Sequence, residues 1–233
     1  MKVPTLRAAV ATFLRQPSGA ILAGQTAVLA ALRFRRGRPD RRDLALVGAV
    51  AAWWPVQEWL AHRHVLHARP RTVAGRTVDL GVARHHRAHH ADPWRLDTTF
   101  LPLWFLVPAV PLHALAWSRL APDRRRAATG MLAFSTATLV YEWTHYLTHT
   151  SYRPRRTWFR ELQRRHRLHH FRSEAHWYGF TVPFVDDALG TAPDPSTIPL
   201  SPTVRTLGVG DPDAPSPDGA DAGDEAESSA APV

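Results

Sequence analysis

The chain has 233 residues, with 29 Lys and Arg against 20 Asp and Glu, 14 His and no Cys. That length predicts one domain, and the lack of cysteine excludes disulfides, thiolate zinc sites and iron–sulfur clusters bound by this chain. The formal charge of +9 suits an anionic surface such as a membrane, while nucleic acid, which Arg and Lys alone would serve, leaves the histidines without a purpose. From the N-terminus, residues 1–16 read as an amphipathic segment, and a Pro-Ser-Gly break follows with no convincing cleavable signal.

Four apolar segments come next. The first, 19–32, is short. The second starts at Leu44 and runs to the first histidine cluster; as one helix over 44–67 it is about 36 Å long, kinked at Pro55. The third, 98–120, and the fourth, 127–149, are long enough for a hydrocarbon core of about 30 Å. Trp and Tyr sit near the segment ends, as in interfacial belts.

Four histidine boxes interleave with these segments. They are EWLAHRHVLHARP (His62, His64, His67), ARHHRAHHADPW (His85, His86, His89, His90), YEWTHYLTHTSY (His145, His149) and QRRHRLHHFRSEAHW (His166, His169, His170, His176). Only His113 lies outside them. The core spacings are HxxxxH, HxxHH, HxxxH and HxxHH. Residues three or four apart share a helix face, so two imidazoles there can reach one metal ion. In HxxHH the outer pair can share one ion while the middle histidine points to a second. A three-residue spacing also pairs His166 with His169, with His170, about 100° away, left for the other ion. Ten candidate ligands result: His62, His67, His86, His89, His90, His145, His149, His166, His169 and His170. One tetrahedral ion needs four, so ten suit two ions. Glu58 lies four residues before His62 and Glu142 three before His145; each is placed to accept a ligand's distal N–H or to pair with a nearby Arg.

The last segment, 192–233, holds eight acids and one Arg and is rich in Pro, Ala, Ser and Gly. It reads as a disordered acidic tail. Lys2 is the only lysine, which with the abundant Ala and Pro looks like GC-rich bacterial coding.

The boxes HRHVLH, HRAHH, HYLTH and HRLHH resemble those of the fatty acid hydroxylase/sterol desaturase superfamily. The stretch HHFRSEAHWYGFTVPFVDDALGT ends as that superfamily does, with Asp186 four residues before Gly190 and Thr191. The resemblance covers roughly 44–191. It implies an all-α membrane protein: four transmembrane helices in two hairpins, with a helical cytosolic cap carrying a multi-histidine dimetal site over residues 17–191. It implies two iron ions on the ten histidines, with zinc able to replace them in a recombinant sample. His64, His85, His176, Glu58, Glu142 and Asp186 remain as extra ligands or supporting groups. The implied activity is O2-dependent hydroxylation or desaturation of a lipid, a fatty acyl chain first, with carotenoid hydroxylase or sterol desaturase as alternatives. A non-catalytic histidine-rich metal-binding membrane protein is the alternative of a different class. Electrons come from outside, from a ferredoxin or a cytochrome b5-like protein. The box side carries 18 Lys and Arg and the hairpin turns 10, which places the boxes in the cytoplasm of a bacterial cell membrane.

Overall fold

The structure is a computed structural model that describes residues 5–209. Helix α1 (Leu6–Arg15) is capped by the Thr5 hydroxyl, and Pro17 then opens α2 (Pro17–Phe34), where its missing N–H costs nothing. A turn leads to α3 (Arg41–Ala61), which starts with a reciprocal capping box between Asp40 and Asp43. A π-helical turn, His62–Leu66, follows. Strands β1 (Arg71–Val73) and β2 (Arg76–Val78) form an antiparallel hairpin. Its two-residue turn has Ala74 and Gly75 both at positive φ, the conformation that matches strand twist. Then come α4 (Gly81–Ala91), α5 (Leu96–Thr99), α6 (Leu103–Leu120), α7 (Arg124–Thr148), α8 (Thr157–Phe171) and α9 (Phe184–Ala188).

The long helices α2, α3 and α6 all pack on α7. Close approach comes from small residues: a side chain at Gly130 would run into the Trp117 ring, and Thr26 and Ser135 share a hydrogen bond of 2.9 Å across α2 and α7. At one end of this bundle α1 buries Ala9 and Phe13 against Phe100, Tyr146 and Leu147. At the other, Arg33 (2% exposed) donates to Asp43 (1% exposed) at 2.5 Å, and Arg125 donates to the same carboxylate at 2.7 Å. The outward faces are apolar, with Val28, Leu44, Val47, Trp53, Leu112 and Leu115 all exposed. Leu96–Leu120 is the one stretch among the described residues long and apolar enough to cross a membrane by itself.

Three expectations need correction. The fold is not purely helical, because the 71–78 segment pairs as a hairpin. The apolar stretch 98–120 is not one helix: Phe100–Pro102 are extended, with the Leu101 N–H held by Glu142 at 2.6 Å. The tail is not disordered from residue 192. Residues 192–209 pack on the cap and bury Val204 and Leu207. Of the eight tail acids only Asp194 precedes residue 210, so the acidic composition belongs to 210–233, outside the described residues.

Removing Asp43 leaves the Arg33 guanidinium buried without its partner, at a cost of about 3–5 kcal/mol. Thermal unfolding in detergent should therefore show a large drop in Tm for Asp43→Ala. The double change Arg33→Met with Asp43→Asn should recover most of it.

Candidate metal centre

Ten histidines from four elements converge in the cap. The π-helical turn brings His62 and His67, α4 brings His86, His89 and His90, the end of α7 brings His145 and His149, and α8 brings His166, His169 and His170. Their ring nitrogens form two groups: His62, His67, His86, His90 and His169, and then His89, His145, His149, His166 and His170, with the ligand atoms of each group within 4.8 Å of one another. The Nε2 of His62 is 3.1 Å from that of His86, and His169 Nε2 is 3.2 Å from His67 Nε2. In the second group His89 Nε2 is 3.1 Å from both His145 and His149, while His166 Nε2 is 2.8 Å from His149 and 3.1 Å from His170.

Helix geometry explains the sorting. Four residues advance about 40° past a full turn and three fall about 60° short, so His86 and His90 share the first group, His166 and His170 share the second, and the middle histidine of each HxxHH box serves the other group. The pairing of His166 with His169 is thus corrected, while the adjacent His169 and His170 do separate. The HxxxxH box needs a different device. Five residues on an α-helix end about 140° apart. The turn after α3 is instead closed by the His67 N–H on the His62 carbonyl at 3.2 Å, and this wider π turn brings the two rings to 4.9 Å between centroids.

The donor set fits metal ions. In the first group three rings donate Nδ1–H to backbone carbonyls: His62 to Tyr178 (2.6 Å), His90 to Val204 (2.9 Å) and His169 to His176 (2.7 Å). A carbonyl only accepts, so each ring carries its proton on Nδ1 and turns its Nε2 lone pair toward the group. Burial pushes the His90 ring down to about 3, against the upward pull of its bond to Val204. Burial likewise holds His166, His169 and His170 well below the ordinary histidine value. These rings are neutral at pH 7, the form that binds metal. In the second group, Nδ1 of His89, His149, His166 and His170 is buried without a hydrogen-bond partner.

Among the described residues neither buried glutamate accepts from a ligand's distal N–H or pairs with an Arg, which corrects both roles expected of them. Glu58 takes the backbone N–H groups of Phe180 (2.7 Å) and Thr181 (3.0 Å) and the Thr181 hydroxyl. Asp186 takes those of Tyr178 (2.9 Å) and Gly179 (2.7 Å) and the Thr191 hydroxyl (2.6 Å). Trp59 in turn donates to Thr191 at 2.9 Å. Together they hold the 176–181 loop, with Trp177 in the left-handed region, so that the His176 and Tyr178 carbonyls meet His169 and His62. The two acids thus act on the histidines through backbone, a link no spacing rule detects. Glu142 holds the Leu101 N–H instead. Of the remaining histidines, His64 is exposed beside Trp59, His85 meets the Phe100 carbonyl at 2.9 Å, and the His176 ring bonds Ser173 at 3.1 Å. None of these three belongs to either group.

A cavity of about 300 Å³ opens beside both groups. His62, His86 and His145 lie at one end, and Trp54, Leu106, Met131 and Phe134 line its extension into the bundle.

A family model described as fatty acid hydroxylase matches residues 47–191. The chain belongs to the fatty acid hydroxylase family. The matched stretch of this hydroxylase-family chain includes all ten grouped histidines and ends at Thr191. It is similar to the dihydroceramide fatty acyl 2-hydroxylase FAH2 of Arabidopsis thaliana, 28% identical over 151 residues, covering 63% of this chain and 62% of the relative. It is also similar to FAH1 of the same plant, 29% identical over 142 residues, covering 60% and 57%. The chain thus spans less than two thirds of the length of these curated relatives. The solved structure of full-length scs7p, in which only the hydroxylase domain is visible, has the same fold: TM-score 0.62 at 18% identity, covering 78% of this chain and 67% of that one.

Asp186→Ala leaves three buried donors without their acceptor, each worth about 1–3 kcal/mol. The variant should unfold at a clearly lower temperature than the parent chain, and Thr191→Ser, which keeps a hydroxyl between Trp59 and Asp186, should stay close to the parent in the same detergent melt.

Proposed function

We propose that the chain is a membrane-bound, O2-dependent oxidoreductase that hydroxylates a fatty acyl chain of a lipid, with two iron ions held by the ten grouped histidines. The observation that carries this reading is that both five-histidine groups border one apolar cavity, His62 and His86 from the first group and His145 from the second. Iron bound there supplies the O2 activation that an unactivated C–H bond needs. The protein's own contribution is positional. The carbonyls of His176, Tyr178 and Val204 fix the tautomer of three rings. The cavity walls take up the acyl chain by burying apolar surface, about 25 cal/mol per Å², and keep water from the reacting carbon. The names of the plant relatives make the 2-position of an acyl chain on a dihydroceramide-like lipid the first substrate to test.

In this reading α2 with α3 and α6 with α7 are two membrane-spanning hairpins, with α4 and α8 on the cytoplasmic side. The apolar outward faces support it, since a bundle in water would not expose so many large apolar side chains. Electrons arrive from a ferredoxin or a cytochrome b5-like protein. In support, residues 153–172 carry eight Arg and one Glu, and Trp94, 42% exposed, lies 6.2 Å from the His149 ring, so an acidic carrier can dock close to the second group.

The reading requires two metal ions per detergent-purified chain by element analysis, and hydroxylated lipid when donor and O2 are supplied. His169→Ala and His170→Ala remove ligands from different groups and should each reduce product at least about 100-fold with the helices intact by circular dichroism; His64→Ala should stay within about threefold of the parent. Full activity in either of the first two would refute the assignment. Topology has its own check: single cysteines at Arg76 and Arg160 should label from the same face of the membrane, and labelling from opposite faces would rule out the double hairpin.

A further inference from the structure

The family match ends at residue 191, yet the chain continues across the cap. Residues 198–207 cross three of the histidine-bearing regions. The Ile198 carbonyl accepts from Arg172 Nε at 2.7 Å and Ser201 N–H donates to the Arg172 carbonyl at 2.8 Å. Thr203 donates to Glu174 at 2.5 Å. The Leu207 N–H closes a turn on the Thr203 carbonyl at 2.7 Å. Arg205 donates to the carbonyl of His90 at 3.2 Å and sits over the Phe171 ring. Arg69, two residues after His67, donates to the Leu207 carbonyl at 3.3 Å. Val204 is 7% exposed and Leu207 4%. Apart from Glu174, four positions after His170, the residues that these links reach lie within two positions of a grouped histidine.

The turn at 203–207 presents one further group inward, the Val204 carbonyl, which accepts the His90 Nδ1–H at 2.9 Å. The other two ring-fixing carbonyls come from the 176–181 loop, inside the family-matched stretch. His90 is the member of the first group whose ring is oriented from outside it, and its Nε2 is buried with no hydrogen-bond partner.

We propose that residues 198–207 form a strap that positions His90 for the first metal ion, with Val204 and Leu207 as its buried anchors and Val204 as the positioning residue. This rests on the two-metal reading above. The strap leaves the second group alone: no hydrogen bond joins residues 198–207 to a ring of His89, His145, His149, His166 or His170 among the described residues. Unseating it therefore weakens one ion and spares the other.

The experiment compares purified full-length chain, a chain ending at Val209, a chain ending at Thr197, Val204→Asp and Val204→Ile. Each is loaded with iron in detergent and titrated with a chelator, and retained metal is counted per chain. The parent, the 209-residue chain and Val204→Ile should keep two ions over the same chelator range. The chain ending at Thr197 and Val204→Asp should release one ion at about 10–100-fold lower chelator and hold the other as the parent does. Two ions held normally in both would overturn the proposal, and so would loss of both ions together with intact helices, which would make the segment a general element of the fold. If the truncated chain does not fold, Val204→Asp decides by the same counts. A parent that binds fewer than two ions would instead overturn the two-metal reading on which the strap depends.

Discussion

Ten neutral imidazoles packed into two groups need their Nε2 lone pairs aimed inward at two points, and the rest of the cap follows from that need. A free imidazole tautomerises and rotates, so each inward lone pair has to be set by what the other nitrogen meets. The first group meets this with backbone carbonyls at three of its five rings. Carbonyls suit the task because they only accept, and because a loop can carry them to the far side of a ring that its own helix cannot reach.

The two groups are supported differently. Behind the first, Glu58 and Asp186 immobilise the 176–181 loop through its N–H groups, and the strap after residue 191 brings in a third carbonyl. In the second group four Nδ1 atoms are buried without partners among the described residues, and the rings are held by each other and by α4, α7 and α8. The first group is thus oriented largely by hydrogen bonds to backbone carbonyls and the second largely by packing. The exposed Trp94 stands beside the second group, 6.2 Å from the His149 ring. Such an unequal pair fits the proposed function, in which the centre would both hold a lipid chain in place and accept electrons from a docked carrier.

The bundle beneath serves the same constraint. The α3 and α7 helices end where their histidines must enter the cap, and the break at Phe100–Pro102, held by Glu142, separates the apolar α6 from the cap segment α4–α5. The cavity runs down from the histidines between these helices. A buried ion cluster around Asp43 fixes the opposite ends of α2, α3 and α7, which sets the level at which the histidine-bearing ends meet.

The sequence by itself determined which ten histidines gather into the two groups and the positions of the four long helices to within about five residues, because helix periodicity and box spacing are local properties written in consecutive residues; the family came from the resemblance that its boxes carry. The split of each HxxHH box between two groups was also legible in it, since about 40° beats about 60° on any α-helix. Tertiary structure decided the rest. His62 and His67 become neighbours only through a π turn, which five intervening bonds of sequence do not announce. Glu58 and Asp186 act through the backbone of a loop far from Glu58 in sequence, so their proximity to ligands along the chain misdirects. Residues 198–207 look like the start of an acidic tail, because composition averages over a window, whereas the order of that segment depends on Val204 and Leu207 finding a buried surface made by three other parts of the chain.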